Sequence, residues 1–314
     1  MPDVLGRLPL ACPLACPLDG LALAPNGRSL VCERGHVHDV SRHGYVNLLP
    51  VQFKPSKAPG DDAAMVAARR RVLDTDLFDP LGDAVAELVV ELITWRMRIS
   101  GSARDLPDGP ADGDERTPFL VDAGCGEGSH TARVAARLRE RVAGDVHVLG
   151  TDISVHAVKA AARRHRDVRW AVANNRRLPV LAGTADVVTS LFGFETWEPW
   201  AALQRSGQHV VVGHAGPRHL IELREAIYDD VRIHDPPADA AASVAGYRLD
   251  DEHRVTYATN GVSGERIADV LAMTPHGHRA SRDTARSLAT LVTRSGDDGV
   301  ALTIDVVLRV HRRS

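Results

Sequence analysis

Cys12, Cys16, Cys32 and His36 lie in "ACPLACPLDGLALAPNGRSLVCERGHVHDV", residues 11–40, a stretch that holds three of the chain's four cysteines. Three thiolates and one imidazole complete a tetrahedral zinc set, and structural zinc ligands typically come as two close pairs on separate turns. Cys12 with Cys16 forms one candidate pair and Cys32 with His36 the other. His38 and His43 are alternatives for the imidazole. Free buried thiols or a redox pair are competing readings, although a redox pair usually takes the form CxxC beside a thioredoxin-like pattern. The pair here is spaced CxxxC, "CPLAC", wider than the CxxC of zinc knuckles.

A second group of residues sits in "FLVDAGCGEGSHTARV". An apolar run ends in Asp122, and Gly124, Gly126 and Gly128 follow before a helical pattern. Such glycines let the backbone turn tightly and let a ligand approach without a Cβ in the way. Beyond them, "VLGTDIS" ends its own apolar run in Asp152, placed to hold the two hydroxyls of a ribose. Turn and acid together point to a nucleotide-like ligand, against the plainer reading of a tight turn that binds nothing. Cys125, inside the turn, reads as a packing cysteine, because no base stands near it in sequence.

These residues need elements to position them. From residue 119 onward short apolar runs alternate with helical stretches: "FLVDAG", "HTARVAARLRERV", "VHVLGTD", "HAVKAAARRH", "VRWAVAN", "ADVVTSLFG", "HVVVGHAG" and "HLIELREAIYDDV". Strand, helix, strand at this spacing predicts an α/β fold with a mostly parallel, doubly wound sheet. The C-terminal part, from "YRLDDEHRVTYATN" to "ALTIDVVLRVHRR", is expected to close it with an antiparallel edge strand. A small zinc-binding module and linker is expected over 1–58 and the large domain over 59–314. Residues 100–118, "SGSARDLPDGPADGDERTP", read as a flexible surface loop.

Composition is that of a soluble globular protein, with 44% hydrophobic and 25% charged residues. The start of the chain lacks a basic n-region, no apolar run is long enough to span a bilayer, and cysteines are few, so a reducing cytoplasm is expected. A net charge of −3 gives no global sign of nucleic-acid binding. Its distribution is uneven: residues 1–71 hold nine Lys or Arg against six acids. Arg34, Arg42, Lys54, Lys57, Arg69, Arg70 and Arg71 are therefore candidates for phosphate contacts, with a solvated charged face as the plain alternative.

The turn "DAGCGEG", with its acid just ahead of the glycines, resembles motif I of class I S-adenosylmethionine methyltransferases. More widely, "CERGHVHDVSRHGYVNLLPVQ", "PGDDAAMVAARRRVLDTDLFDPL", "VDAGCGEGSHT", "GPRHLIELREAIYDDVRIHDP" and "LAMTPHGHRA" together resemble the RlmA-type 23S rRNA guanine-N1 methyltransferases. The resemblance runs through nearly the whole chain. It implies a Rossmann-like methyltransferase domain behind a zinc knuckle, S-adenosylmethionine as cofactor, structural zinc, a homodimer, and methylation at N1 of a guanine in a 23S rRNA hairpin loop. It also implies a link to macrolide resistance, which relatives in antibiotic producers confer. By the resemblance, Phe78, Gly126, Glu127 and His219 contact the cofactor, Asp152 binds its ribose, and Asn174 or Asn175 lies beside the adenine. Two segments depart from the family pattern: "SLFGFETWEPWAALQRSGQ" after the fourth strand of the large domain, and His278, where relatives tend to have tryptophan.

Guanine N1 carries a proton, so methylation there needs a flipped, stacked base and a proton acceptor. Glu195 is the candidate acceptor by type and location, and Phe192, Phe194, Trp197 and Trp200 are candidates to stack, against ordinary packing as the alternative. Two rival functions share this sequence. One is a small-molecule methyltransferase descended from the rRNA family. The other is a catalytically inactive zinc-containing RNA-binding protein.

Overall fold

The computed structural model describes residues 12–56, 59–102, 116–228, 240–274, 282–295 and 298–314, with isolated positions between 230 and 238. The N-terminal segment forms three short strands, β1 (Ala24–Asn26), β2 (Ser29–Val31) and β3 (Val37–Asp39), paired antiparallel in that order. A fourth, β4 (Tyr45–Asn47), leaves this ribbon and pairs parallel with a strand of the large sheet. Helix α1 (Ala63–Leu73) starts where the Asp62 carboxylate accepts from the Ala64 and Met65 amides, satisfying donors that the first turn leaves free. A 3₁₀ turn at Asp76–Phe78 leads into the long α2 (Asp79–Ser102).

The remaining elements are β5 (Phe119–Ala123), α3 (Ser129–Arg141), β6 (His147–Asp152), α4 (Val155–Arg164), β7 (Arg169–Val172), β8 (Val187–Leu191), α5 (Trp197–Leu203), β9 (His209–Ala215), α6 (Ile221–Ile227), α7 (Ala240–Val244), β10 (Tyr247–Ala258), α8 (Gly264–Ala272), α9 (Arg282–Ser295) and β11 (Thr303–Arg313). The large sheet has the order β10-β11-β9-β8-β5-β6-β7-β4. Strands β4 to β9 in it run parallel, and β11 is antiparallel to both of its neighbours. The antiparallel strand therefore lies one place in from the edge, which β10 occupies. Chain order reverses between β5 and β8, and in such sheets ligands bind beyond the carboxyl ends of the strands at that switch.

Period-two alternation divides the core. Along β5, Leu120 joins a cluster with α2 and α3 on one face, whereas Phe119, Val121 and Ala123 join a cluster on the other. That second cluster also contains Leu14, Cys16, Leu30, Cys32 and Val46 of the ribbon. Ribbon and large domain thus share one core and, through β4, one sheet, because the apolar inner face of so small a ribbon needs a partner to cover it. The sheet crosses the boundary expected at 58/59.

Helix α2 extends into the segment expected as a loop, and residues 103–115 of that segment lie outside the described residues. Its two flanks converge on the buried Asp186, whose carboxylate accepts from Arg96 Nε (2.9 Å), Arg116 Nη2 (3.0 Å) and the Phe119 amide (2.8 Å). Among the described residues no helix is long and apolar enough to cross a membrane.

Candidate active site and metal centre

The ribbon brings together Cys16, Asp19, Cys32 and His36. His36 Nδ1 stands 3.6 Å from Cys16 Sγ, 3.4 Å from Cys32 Sγ and 3.0 Å from Asp19 Oδ2, and Cys32 Sγ is 3.4 Å from the same carboxylate oxygen. Ligands held about 2.0–2.3 Å from a tetrahedral zinc are separated by about 3.3–3.8 Å; three of these four separations fall in that range, the His36–Asp19 distance is shorter, and the donor set fits the ion in chemistry. His38 Nε2 also reaches to 3.6 Å from Cys16 Sγ. Partial burial opposes ionisation of Asp19, but hydrogen bonds from the Leu21 amide, Cys16, Cys32 and His36 bring its carboxyl down to about 2.

Cys12 is not part of this cluster. It packs beside Arg169, where burial pushes its thiol up to about 12 against the opposing charge of the guanidinium. The signal for Asp19 was present in the sequence: "CPLD" places Asp19 three positions after Cys16, which is CxxC spacing with a carboxylate in the second place.

At the switch point the chain leaves β5 through the glycine turn. Gly126 has φ +57°, a left-handed conformation that costs glycine little. A Cβ added at Gly128 would lie 2.6 Å from the Trp170 ring, so close packing as well as φ requires glycine there. Asp152, at the end of β6, accepts from the Gly126 amide (3.0 Å, Oδ2) and from the Ser154 amide (2.8 Å, Oδ1), and burial raises its carboxyl. Asn175 Nδ2 lies 3.7 Å from where a Gly124 Cβ would stand. Bare glycine backbone at Gly124 and Gly126 beside a carboxylate at the end of the next strand fits the ribose and amino-acid portion of S-adenosylmethionine.

Several expected cofactor residues take supporting positions instead. Asp122 is buried beneath the turn, with its oxygens held by Thr131 Oγ1 (2.5 Å) and Thr189 Oγ1 (2.9 Å). Burial raises its carboxyl to about 6, with the two hydroxyls opposing the shift. The Glu127 side chain is also buried and accepts from the Ser129 amide at the start of α3, so only its backbone remains for a ligand. Asn174 Oδ1 accepts from the Arg176 amide in its own turn. Phe78 is buried in the core and lines a cavity of about 330 Å³ with Ser129 and His130, just past the glycines.

The loop after β8 closes the other side. A Cβ at Gly193 would lie 3.6 Å from the Ala123 carbonyl oxygen, and Thr196 Oγ1 donates to the Asn175 carbonyl (3.0 Å). Glu195, between them, accepts from Trp197 Nε1 (2.9 Å) and faces His214 Nε2 at 3.5 Å. Phe192 adopts φ +56°, an unusual conformation for a bulky residue, and stacks on His219 with ring centroids 5.6 Å apart. Phe194 is 89% exposed, whereas Trp197 and Trp200 are core residues packed edge to face. The two tryptophans therefore present no free face for stacking.

The candidate phosphate contacts separate. Arg34, Arg42 and Arg70 are exposed, and Lys54 is half-buried with no contact that bears on the site. Arg70 pairs with Asp74, Arg71 is clamped by Asp269, and Arg69 pairs with Asp61. Lys57 and His278 lie outside the described residues. Sequence reasoning missed α4, whose His156, Lys159, Arg163 and Arg164 line a groove of about 420 Å³ against α1 and Arg70. The ribbon continues this face: His43 is depressed by partial burial and by the charges of Lys159, Arg42 and Arg163.

Residues 14–57 match the model of the RlmA N-terminal zinc ribbon, and residues 120–212 match a methyltransferase-domain model. The chain is 32% identical to YxjB of Bacillus subtilis, a protein named for 23S rRNA (guanine-N1) methylation, over 93% of this chain and 94% of the relative. It is 30% identical to the 23S rRNA (guanine(748)-N(1))-methyltransferase of Streptomyces fradiae, over 88% of this chain and 90% of the relative. A relative from Micromonospora griseorubida, also named for 23S rRNA guanine-N1 methylation, is 32% identical over 76% and 75% of the two chains. With both modules in place and two relatives matched over about nine tenths of both chains, the chain is an S-adenosylmethionine-dependent methyltransferase that belongs to the RlmA-type 23S rRNA (guanine-N1)-methyltransferase family.

Proposed function

We propose that this enzyme methylates N1 of a guanine in a 23S rRNA hairpin loop. The observation that carries the reading is Glu195, held by the Trp197 indole and facing His214, in the loop that also bears the exposed Phe194. S-adenosylmethionine supplies the electrophilic methyl group. The flipped guanine stacks on Phe192 or Phe194, faces worth about 1–3 kcal/mol per base. Glu195 takes the N1 proton, the N1 lone pair forms the new N–C bond, and the S–C electron pair stays on sulfur. The indole N–H holds the carboxylate in one orientation, which such proton transfer requires.

Asp152 holds the ribose hydroxyls, the backbone at Gly124, Gly126 and Glu127 faces the methionine portion, Asn175 lies at the adenine, and His219 backs Phe192. Cys16, Asp19, Cys32 and His36 hold a structural zinc. RNA phosphates follow Arg34, Arg42 and Lys54 onto the α1–α4 groove. The proposal includes cytoplasmic action as a homodimer, in keeping with the family, and light scattering of the purified protein tests the assembly. A stacking face that stands open to solvent favours a base presented by a polymer over a small metabolite. Mass mapping of 23S rRNA from cells with and without the protein tests the function: one 1-methylguanine should be lost with the gene, and unchanged rRNA would sink the proposal.

A further inference from the structure

Arg69 does not point to the outer surface with its neighbours Arg70 and Arg71. Its Nη1 stands 3.4 Å from the position a Gly126 Cβ would take, directly over the glycine turn. Two contacts hold it there: an ion pair with Asp61, from the segment before α1, and a hydrogen bond from Nη2 to the Met273 carbonyl (3.2 Å) at the end of α8. Arg69 is about one quarter exposed, so its charge is only partly screened by water. A guanidinium offers five N–H donors in a fork that matches a carboxylate, and these two contacts leave donors free.

Two facts mark this as a ligand position. Gly124 and Gly126 present bare backbone beneath Arg69, and the acid at the end of β6, Asp152, accepts from the Gly126 and Ser154 amides through one oxygen each and keeps lone pairs for a ligand. The acid serves a hydroxyl-bearing group, which leaves the cation to serve an anionic one. On S-adenosylmethionine the only anionic group is the α-carboxylate of its methionine part.

We propose that Arg69 binds the α-carboxylate of the cofactor and that Asp61 and the Met273 carbonyl position it over the turn. The inference deepens the reading of this turn as the S-adenosylmethionine site and removes Arg69 from the set of RNA-phosphate contacts. It also gives α1 a second task, because one face of the helix then meets the cofactor while Arg70 faces the basic groove.

Calorimetry of the full-length protein with two probes tests this, using S-adenosylmethionine and its decarboxylated form, which keeps the sulfonium and the amine and lacks only the carboxylate. Wild-type protein should prefer the intact cofactor by about tenfold to a hundredfold, the range of a hydrogen bond between charged groups. Arg69→Ala should lose that preference while still binding the decarboxylated form as wild type does. Arg69→Lys, which keeps the charge without the fork, should fall between the two. Equal weakening toward both probes would show that the Arg69–Asp61 pair merely holds the chain in place, and an unchanged preference would show that the carboxylate lies elsewhere; either result overturns the assignment. If the enzyme proved inactive on rRNA, this comparison would still stand, because neither probe involves RNA.

Discussion

Asp19 Oδ2 lies 3.0 Å from His36 Nδ1, so a carboxylate completes the four-donor cluster of the ribbon and Cys12 stands apart from it. The first prediction follows from this pairing. Elemental analysis of the purified protein should find about one zinc per chain. Cys12→Ser should keep the zinc, whereas Asp19→Ala and Cys32→Ser should lose it. Cobalt substitution should give the charge-transfer intensity of two thiolates rather than three. Loss of metal from Cys12→Ser would restore the three-cysteine set.

Asp152 accepts two backbone amides, one on each carboxylate oxygen. Asp152→Ala should weaken S-adenosylhomocysteine binding by about tenfold or more, the magnitude of charged hydrogen bonds to ribose hydroxyls. Calorimetry at fixed pH is sufficient, and an unchanged affinity would remove Asp152 from the cofactor site.

For Glu195, the readout is the split between chemistry and binding. Glu195→Gln should lower turnover by about 100-fold or more, the usual scale of general-base catalysis, while S-adenosylhomocysteine affinity stays as in wild type. Trp197→Phe, which removes the indole donor, should show a smaller loss of the same kind. Full activity in the Gln variant would exclude proton transfer to this carboxylate.

Asp122 gives a pH dependence with a definite sign. Its folded-state pKa of about 6 lies above the usual carboxyl value of about 3.9. The unfolded chain therefore ionises first as pH rises, and burying the charge costs about 3 kcal/mol, fully present above about pH 6 and relieved as pH falls toward about 4. Asp122→Asn should gain thermal stability relative to wild type between pH 4 and pH 7. A difference in Tm that is flat across that range would show that the site does not titrate there.

The α1–α4 groove should be felt in RNA binding alone. Lys159→Glu and Arg163→Glu should each weaken binding to a 23S rRNA hairpin and lower the salt slope by about one, because each phosphate contact contributes about 0.7–0.9 to that slope. Cofactor affinity should not move. RNA binding that ignores both substitutions would place the phosphate track elsewhere.

The parallel sheet, the glycine turn and Asp152 were legible because each has a local signature: apolar runs at βα spacing, glycines where φ is positive, and an acid at a strand end. Asp19 was also local, but three nearby cysteines suggested a thiolate in its place. Arg69 and Lys159 depended on contacts distant in sequence, as did the burial of Trp197 against Tyr247 and His311. Nothing in "AARRRVL" or "HAVKAAARRH" tells which cation of a helix meets a turn more than fifty residues away and which lines a groove. Trp197 and Trp200 looked like stacking faces because they follow a strand end, yet the hydrophobic gain from covering such large rings drew them into the core.

The pairing of β4 with β7 joins residues 45–47 to residues 170–172, and this has a consequence for the order in which the protein is made. The ribbon leaves the ribosome early with its metal ligands complete, but the sheet edge it belongs to does not exist until more than half of the chain has been synthesised. Until then Leu30, Val46 and Cys32 lack the large-domain half of their core, Phe119, Val121 and Ala171 among it. During synthesis, which proceeds at about 5–20 residues per second, a zinc held by Cys16, Asp19, Cys32 and His36 would crosslink the ribbon while it waits for its partner strand.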